Sequence, residues 1–212
     1  ENERIMKHLK NIKNDLKEIY KKLFLLNIRD LNYIKCITNI LEENNIKVIV
    51  LKGAAVSYLT KRKYTSRLSS DLDLFINQKD IFKALKVLKN YGYIVKSNYN
   101  LEKSKGVLKR FHTYFTYEVS LENKDKELIN IDLHWRLSIY NSFLPDFNKA
   151  WKESKIIKIN NIKLRSLSEI DTLKHICAHS AKDKWMCLGN LLDIHLLAKT
   201  LTYKNLYTLN NN

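Results

Sequence analysis

The chain has 212 residues, 45% hydrophobic and 10% aromatic, enough to bury a core and to exclude a disordered tail. Lys and Arg number 38 against 22 Asp and Glu, a formal charge of +16, so the surface field favours anions such as phosphates, nucleic acid or acidic lipid without choosing among them. Four Gly and one Pro exclude collagen-like and linker-rich classes, and three cysteines, Cys36, Cys177 and Cys187, lack the C-x-x-C spacing of a zinc knuckle and form no even disulfide set.

No apolar run approaches the roughly 18 residues of a membrane span, and Glu1 to Lys10 lacks a signal pattern. The expectation is a cytoplasmic chain in a reducing compartment with no membrane partner. Residue 1 is not Met, and a helical pattern opening at Tyr203 stops at Asn212, which leads us to expect a chain trimmed at its ends.

Apolar residues recur at three and four from Ile5 to Glu43, through Ile12, Leu16, Ile19 and Leu23 and again Ile34, Ile37 and Leu41, which predicts two amphipathic helices with a break near Asn27 to Asp30. Val48 to Leu51 is an unbroken apolar run closed by Lys52-Gly53, a buried strand turning into a helix. Leu72 to Ile76 reads as a second strand. Asn77 is placed to cap a helix with Ile81, Leu85 and Leu88 inward and Gly92 at its left-handed end.

From Phe111 to Leu121, and again from Leu128 to Trp135, apolar residues fall on odd positions, which predicts two half-buried strands joined as a hairpin across Glu122 to Glu127. Beyond Pro145, strands at Ile156 to Ile159 and Ile162 to Leu164 precede Ser166-Leu167-Ser168-Glu169, a capping box opening a helix through Ala181. A last helix is predicted from about Trp185 to Leu201, with Leu188, Leu191, Leu192, His195 and Leu196 as its core stripe. The fold class expected is α+β (α/β): a helical segment at 1–45, a mixed-sheet core at 46–165 and a C-terminal helical domain at 166–212.

Ser70-Asp71-Leu72-Asp73-Leu74 carries the sharpest chemistry. Two carboxylates two residues apart on a strand share one face while Leu72, Leu74 and Ile76 face the core. Adjacent anions repel unless a cation joins them, and an all-oxygen set suits Mg²⁺, with Mn²⁺ as a substitute. Two ordinary surface acids on an edge strand are the alternative. Asp132 lies on the polar face of Ile129 to Trp135 beside Asn130 and His134. If the two strands are neighbours, Asp71, Asp73 and Asp132 converge as the catalytic, metal-binding carboxylates that two divalent ions need for in-line displacement at phosphorus.

Upstream, Gly53 lets the backbone approach a phosphate closely and Lys52 adds a mobile cation. Lys61, Arg62, Lys63 and Arg67 precede the carboxylates, and the planar guanidinium of Arg67 suits two phosphate oxygens at once.

Lys52-Gly53, Arg67, Ser70-Asp71-Leu72-Asp73-Leu74, Gly92-Tyr93 and Asp132-Leu133-His134-Trp135, spread from Val48 to Leu197, together resemble the uncharacterised nucleotidyltransferase family of the DNA polymerase beta-like nucleotidyltransferase superfamily, and more distantly the nucleotidyltransferase toxins that modify tRNA ends. The resemblance implies a nucleotidyltransferase core with Gly53 in the phosphate-holding turn, Asp71, Asp73 and Asp132 on the metal ions, and Ser70 among the nucleotide contacts. It also makes Lys184 a nucleotide contact from the helical domain, near Asp193. Two departures stand out: many members follow the turn glycine with Ser where this chain has Ala54, leaving Lys52 as the substitute, and the interval from Gly53 to Asp71 is longer than in compact members.

His134 is placed either to orient the substrate hydroxyl or to hydrogen-bond to structural neighbours. His175 and His179 share one side of a helix, but residue 176 is Ile where a zinc protease has Glu, so packing or a substrate-facing role is favoured over a metal. Tyr114 shares a predicted polar strand face with His112 and Thr116, as ordinary sheet residues.

The reading is an enzyme that moves a nucleoside monophosphate from an NTP, ATP included, to a hydroxyl and releases pyrophosphate. The acceptor is open among an RNA or tRNA end, a small molecule and a protein, and an antitoxin-like or pathway protein is among the admissible partners. The rivals are a catalytically silent nucleic-acid-binding module and a kinase-like phosphotransferase that would move the γ-phosphate instead.

Overall fold

The computed structural model describes residues 2–60, 62, 69, 71–96, 113–125, 128–139 and 143–201. One helix, α1 (Asn2–Glu43), precedes β1 (Val48–Val50), α2 (Ala54–Leu59), β2 (Asp71–Ile76), α3 (Ile81–Asn90) and β3 (Tyr93–Val95). There follow β4 (Glu118–Asn123), β5 (Asn130–His134), α4 (Phe147–Glu153), β6 (Lys155–Ile159), β7 (Ile162–Ser166), α5 (Glu169–Lys182) and α6 (Leu188–Thr200). The seven strands form one mixed sheet in the order β3-β4-β5-β2-β1-β7-β6. β2 lies parallel to β5 and β1 parallel to β7, while the remaining pairs are antiparallel.

Each strand divides its side chains by parity, and the two faces differ. Leu72, Leu74 and Ile76 of β2, Val48 and Val50 of β1 and Ile131 and Leu133 of β5 enter the main core, with Ile34, Ile37 and Leu41 of α1 and Leu85 and Leu88 of α3. On the opposite face Ile49, Leu51 and Phe75 form a second core with Phe147 and Ala150 of α4, the Phe75 and Phe147 rings meeting edge to face at 5.2 Å. That second face also carries Asp71, Asp73, Asp132 and His134. The polar site and an apolar cluster therefore share one side of the sheet.

Several expectations are corrected. The expected break at Asn27 to Asp30 is absent: α1 runs through it, since no Gly or Pro interrupts the stretch and the Asn27 side chain donates to the Leu23 carbonyl at 2.8 Å. The strand expected from Phe111 begins only at Glu118. Residues 113–115 form a helical turn with Tyr114 70% exposed, so the proposed sheet face of Tyr114 and Thr116 does not exist; His112 lies outside the described residues. The turn is held by Trp135, whose indole donates to the carbonyls of Thr113 and Thr116.

α4 escaped the sequence reading because it is two turns long, although Asp146 caps it by accepting from the Lys149 amide at 2.8 Å. The short β3 was missed as well. At α5 the cap is Ser168, whose hydroxyl accepts from the Asp171 amide and donates to its carboxylate; the box runs from Ser168 to Asp171, not from Ser166. Lys184 and Trp185 take positive φ, so α6 starts at Leu188 instead of Trp185.

The α6 stripe is also reversed. Asn190, Asp193 and Leu197 are buried, while Leu188, Leu191 and Leu192 are exposed. The helix phase follows from Asp193, fully buried and paired with Arg62 from beyond α2. A buried carboxylate that needs that cation outranks the turning inward of a few leucines. On α1, Ile5, Leu9, Ile12, Leu16 and Ile19 are exposed as well.

Candidate active site

β2 and β5 are in parallel register with Asp73 opposite Asp132 and Asp71 opposite Asn130. Parallel partners in register project to the same side of a sheet, so the three carboxylates stand on one face at the start of adjacent strands. Among the described residues no three acidic, histidine or cysteine side chains close into a ready-made cation cage. The carboxylates form an open row, with Asp73 buried and Asp71 and Asp132 half-buried.

Asp73 is the hub. Its Oδ1 accepts from Lys52 Nζ at 3.0 Å and lies 3.3 Å from His134 Nε2. Burial pushes its pKa up, but the His134 hydrogen bond and the Lys52 charge outweigh that and hold the carboxyl well below the usual carboxylate range. Asp132 behaves oppositely: burial raises its proton affinity, a 2.6 Å hydrogen bond from Ser120 Oγ lowers it, and the Asp73 and Asp71 charges raise it further, for a net upward shift.

The donor set fits a divalent cation. The chemistry is hard oxygen ligands, three carboxylates share one face, and an ammonium group already stands beside Asp73. Asp71, Asp73 and Asp132 are the residues that would hold the ion.

Lys52 was expected to contact phosphate; it spends its ammonium on Asp73 here. Gly53, which follows it, has φ 58° and ψ −118°, open to glycine and strained for other residues. A Cβ there would lie 3.3 Å from Ser69 Cβ. Ser69, which the sequence reading passed over, packs on this turn and donates to the Asp71 carbonyl at 2.7 Å, joining the turn to the first carboxylate. Arg67 and Ser70 lie outside the described residues. Lys184 is exposed in the left-handed turn after α5.

His134 is 1% exposed and bridges two acids, with Nδ1 lying 3.2 Å from Glu118 while Nε2 faces Asp73. Of the two roles weighed for it, these contacts are those of a histidine among structural neighbours, set against a carboxylate of the site. Glu118 and Ser120 were not foreseen. Their signal was available, because both fall on the even positions of β4, the polar parity, and β4 pairs with β5 so that Ser120 meets Asp132 and Glu118 meets His134. Beyond them Lys182 of α5 donates to Tyr117 Oη and lies 3.6 Å from Glu118.

The mixed sheet presents a row of carboxylates on adjacent strands behind a strand-glycine-helix turn. The chain belongs to the uncharacterised nucleotidyltransferase family, whose model matches residues 3–205, and it is thereby an enzyme of the nucleotidyltransferase kind.

Solved structures agree on the fold. The solution structure of the antibiotic-resistance factor ANT(2'')-Ia superposes with a TM-score of 0.60 at 13% identity, covering 86% of this chain and 90% of that one. The crystal structure of ANT(2'')-Ia with adenylyl-2''-tobramycin gives 0.59 at 13% identity, over 84% and 93%. The lincomycin-bound lincosamide antibiotic adenylyltransferase LnuA gives 0.53 at 15% identity, over 82% and 97%. No curated protein matches the chain by sequence. Among the described residues no helix is long and apolar enough to cross a membrane.

Proposed function

We propose that the chain transfers a nucleoside monophosphate from an NTP to a hydroxyl acceptor, with Asp71, Asp73 and Asp132 as its metal-binding carboxylates. The observation that carries this is the register of β2 on β5, which sets Asp73 beside Asp132 on the face bearing Asp71. ATP is the first donor to test, because ANT(2'')-Ia and LnuA are described with adenylyl transfer.

In the reaction the acceptor oxygen forms a bond to the α-phosphorus, the bond to pyrophosphate breaks, and pyrophosphate departs with the electron pair. Divalent cations, when bound, neutralise the triphosphate and acidify the hydroxyl. Asp132 takes the hydroxyl proton on the oxygen that Ser120 leaves free, a role suited to its raised proton affinity. Lys52 adds positive charge between Asp73 and the Gly53 turn. His134 holds the Asp73 carboxylate through Nε2, with the Glu118 carboxylate 3.2 Å from its Nδ1. Lys184, Arg67 and Ser70 remain candidates for nucleotide contact through the family resemblance.

The test is transfer of label from α-labelled NTPs, with Mg²⁺ or Mn²⁺, to total RNA, small metabolites and cell protein. Asp71→Asn should reduce labelling by about 10³-fold or more, several kcal/mol of lost transition-state stabilisation, with circular dichroism unchanged because this side chain is half-exposed. Full labelling by the variant would remove the carboxylate scheme, and transfer of γ-label alone would make the chain a phosphotransferase.

A further inference from the structure

Beside His134, on the side of β5 away from β2, lies a cavity of about 420 Å³ between the sheet and α5, within the range of small-molecule sites. Leu137, Ile139, Phe143 and Ala178 are among the residues that line it, and Ile139 and Phe143 stand half-exposed. Among the described residues lining it none is acidic, and Lys182 carries the one permanent charge.

His175 of α5 lines this cavity. It is 1% exposed, yet neither ring nitrogen has a hydrogen-bond partner. Burying an imidazole without a partner costs free energy that a packing role does not return. His179 and Lys182 follow it at four and seven residues, the spacing of one helix face, and both line the same space. The His175 ring stands 6.3 Å from that of His134, which itself reaches Asp73. His134 therefore stands between the cavity, which it lines, and Asp73 of the carboxylate row.

Its position in the sheet separates it from the nucleotide. The Gly53 turn follows β1, on one side of β2, whereas Tyr117 and His134 belong to the β4 and β5 side. In-line displacement needs attacking and leaving oxygens on opposite sides of phosphorus, so a triphosphate at the Gly53 turn leaves the β5 side to the nucleophile.

We infer that this cavity receives the acceptor, and that the acceptor is a small hydroxyl-bearing molecule, neutral or anionic, with an apolar ring or chain and a polar group that pairs with His175. The inference rests on the transfer reaction proposed above and adds to it the class of acceptor. The apolar walls that the described residues make do not suit a polycationic amino sugar, which needs acidic partners, and Lys182 is already engaged by Tyr117 and Glu118. Nor do those walls suit an RNA end, whose backbone needs several cations.

The experiment uses the full chain with four probes: phenyl β-glucoside, phenyl β-glucuronide, tobramycin and a short ribo-oligonucleotide. Binding is read by ligand-observed NMR, and transfer by α-label from ATP with Mg²⁺. The two phenyl glycosides are expected to bind, and at least one to accept label. Their binding should weaken about tenfold, the loss of one buried hydrogen bond, in His175→Leu. Ala178→Phe, which fills the cavity while leaving the imidazole in place, should weaken it at least as much.

Preferential binding or labelling of tobramycin or the oligonucleotide would overturn the inference. So would failure of both glycosides to bind, or equal binding by wild type and both variants. Glycoside binding that responds to the variants, with no label passing from any NTP to any probe and no pyrophosphate released, would instead remove the transfer reaction while the ligand class stood.

Discussion

Asp73 and His175 are neighbours in one electrostatic system, and both favour the deprotonated form, which is charged for Asp73 and neutral for His175. Asp73 is held ionised by His134 and Lys52, so Asp73→Asn should lower stability by about 1–3 kcal/mol through the partners it leaves as well as stopping turnover; denaturant unfolding of the variant checks this. His175 is pushed well below the ordinary imidazole value of 6.5 by burial first, then by the Lys52 and His134 charges. The unfolded chain takes up a proton there below about pH 6.5 and the folded chain does not. Stability is therefore complete above that pH and is lost as pH falls toward the depressed native value. Melting temperatures measured across that acid range should fall more steeply for wild type than for His175→Leu; equal slopes would deny the imidazole its buried, neutral state.

The joint between β1 and α2 matters most among the elements, because it sets a glycine with φ 58° against Ser69. Gly53→Ala is expected to cost about 1–3 kcal/mol in denaturant unfolding, with turnover falling further than stability because the new methyl group displaces Ser69 and, through it, the start of β2. A variant as stable and active as wild type would make the turn an ordinary connection. Much at this scale was legible locally. Parity put Leu72, Leu74 and Ile76 inward and the two aspartates outward, and Asn77 caps the turn leading into α3 as its position suggested. The Phe111 strand and the α6 stripe were misread. Both patterns are locally consistent with the other answer, and the deciding partners, Trp135 with the carbonyls at 113–116 and Arg62 with Asp193, come from distant parts of the chain.

The whole molecule carries a formal charge of +16. Such a surface should bind a fluorescent RNA oligonucleotide at low ionic strength without sequence preference, with affinity falling at least about tenfold between roughly 50 and 200 mM salt. Fluorescence anisotropy across that range tests the point, and a weak salt slope would indicate a built RNA site in place of a diffuse field.

Local sequence determined the alternation of strand and helix, the inward face of each strand and the residue types of the carboxylate row. It did so because side-chain period and turn chemistry are properties of a few consecutive residues. Only the tertiary structure decided that β2 and β5 pair in the register that sets Asp73 beside Asp132, and that β4 brings Ser120 and Glu118 to the same place. The pairing of strands remote in sequence is fixed by packing of the assembled sheet, and no local pattern encodes it. The same holds for α5, whose spacing put His175, His179 and Lys182 on one face, while its docking on the sheet turned that face toward Asp73 and left His175 buried without a partner.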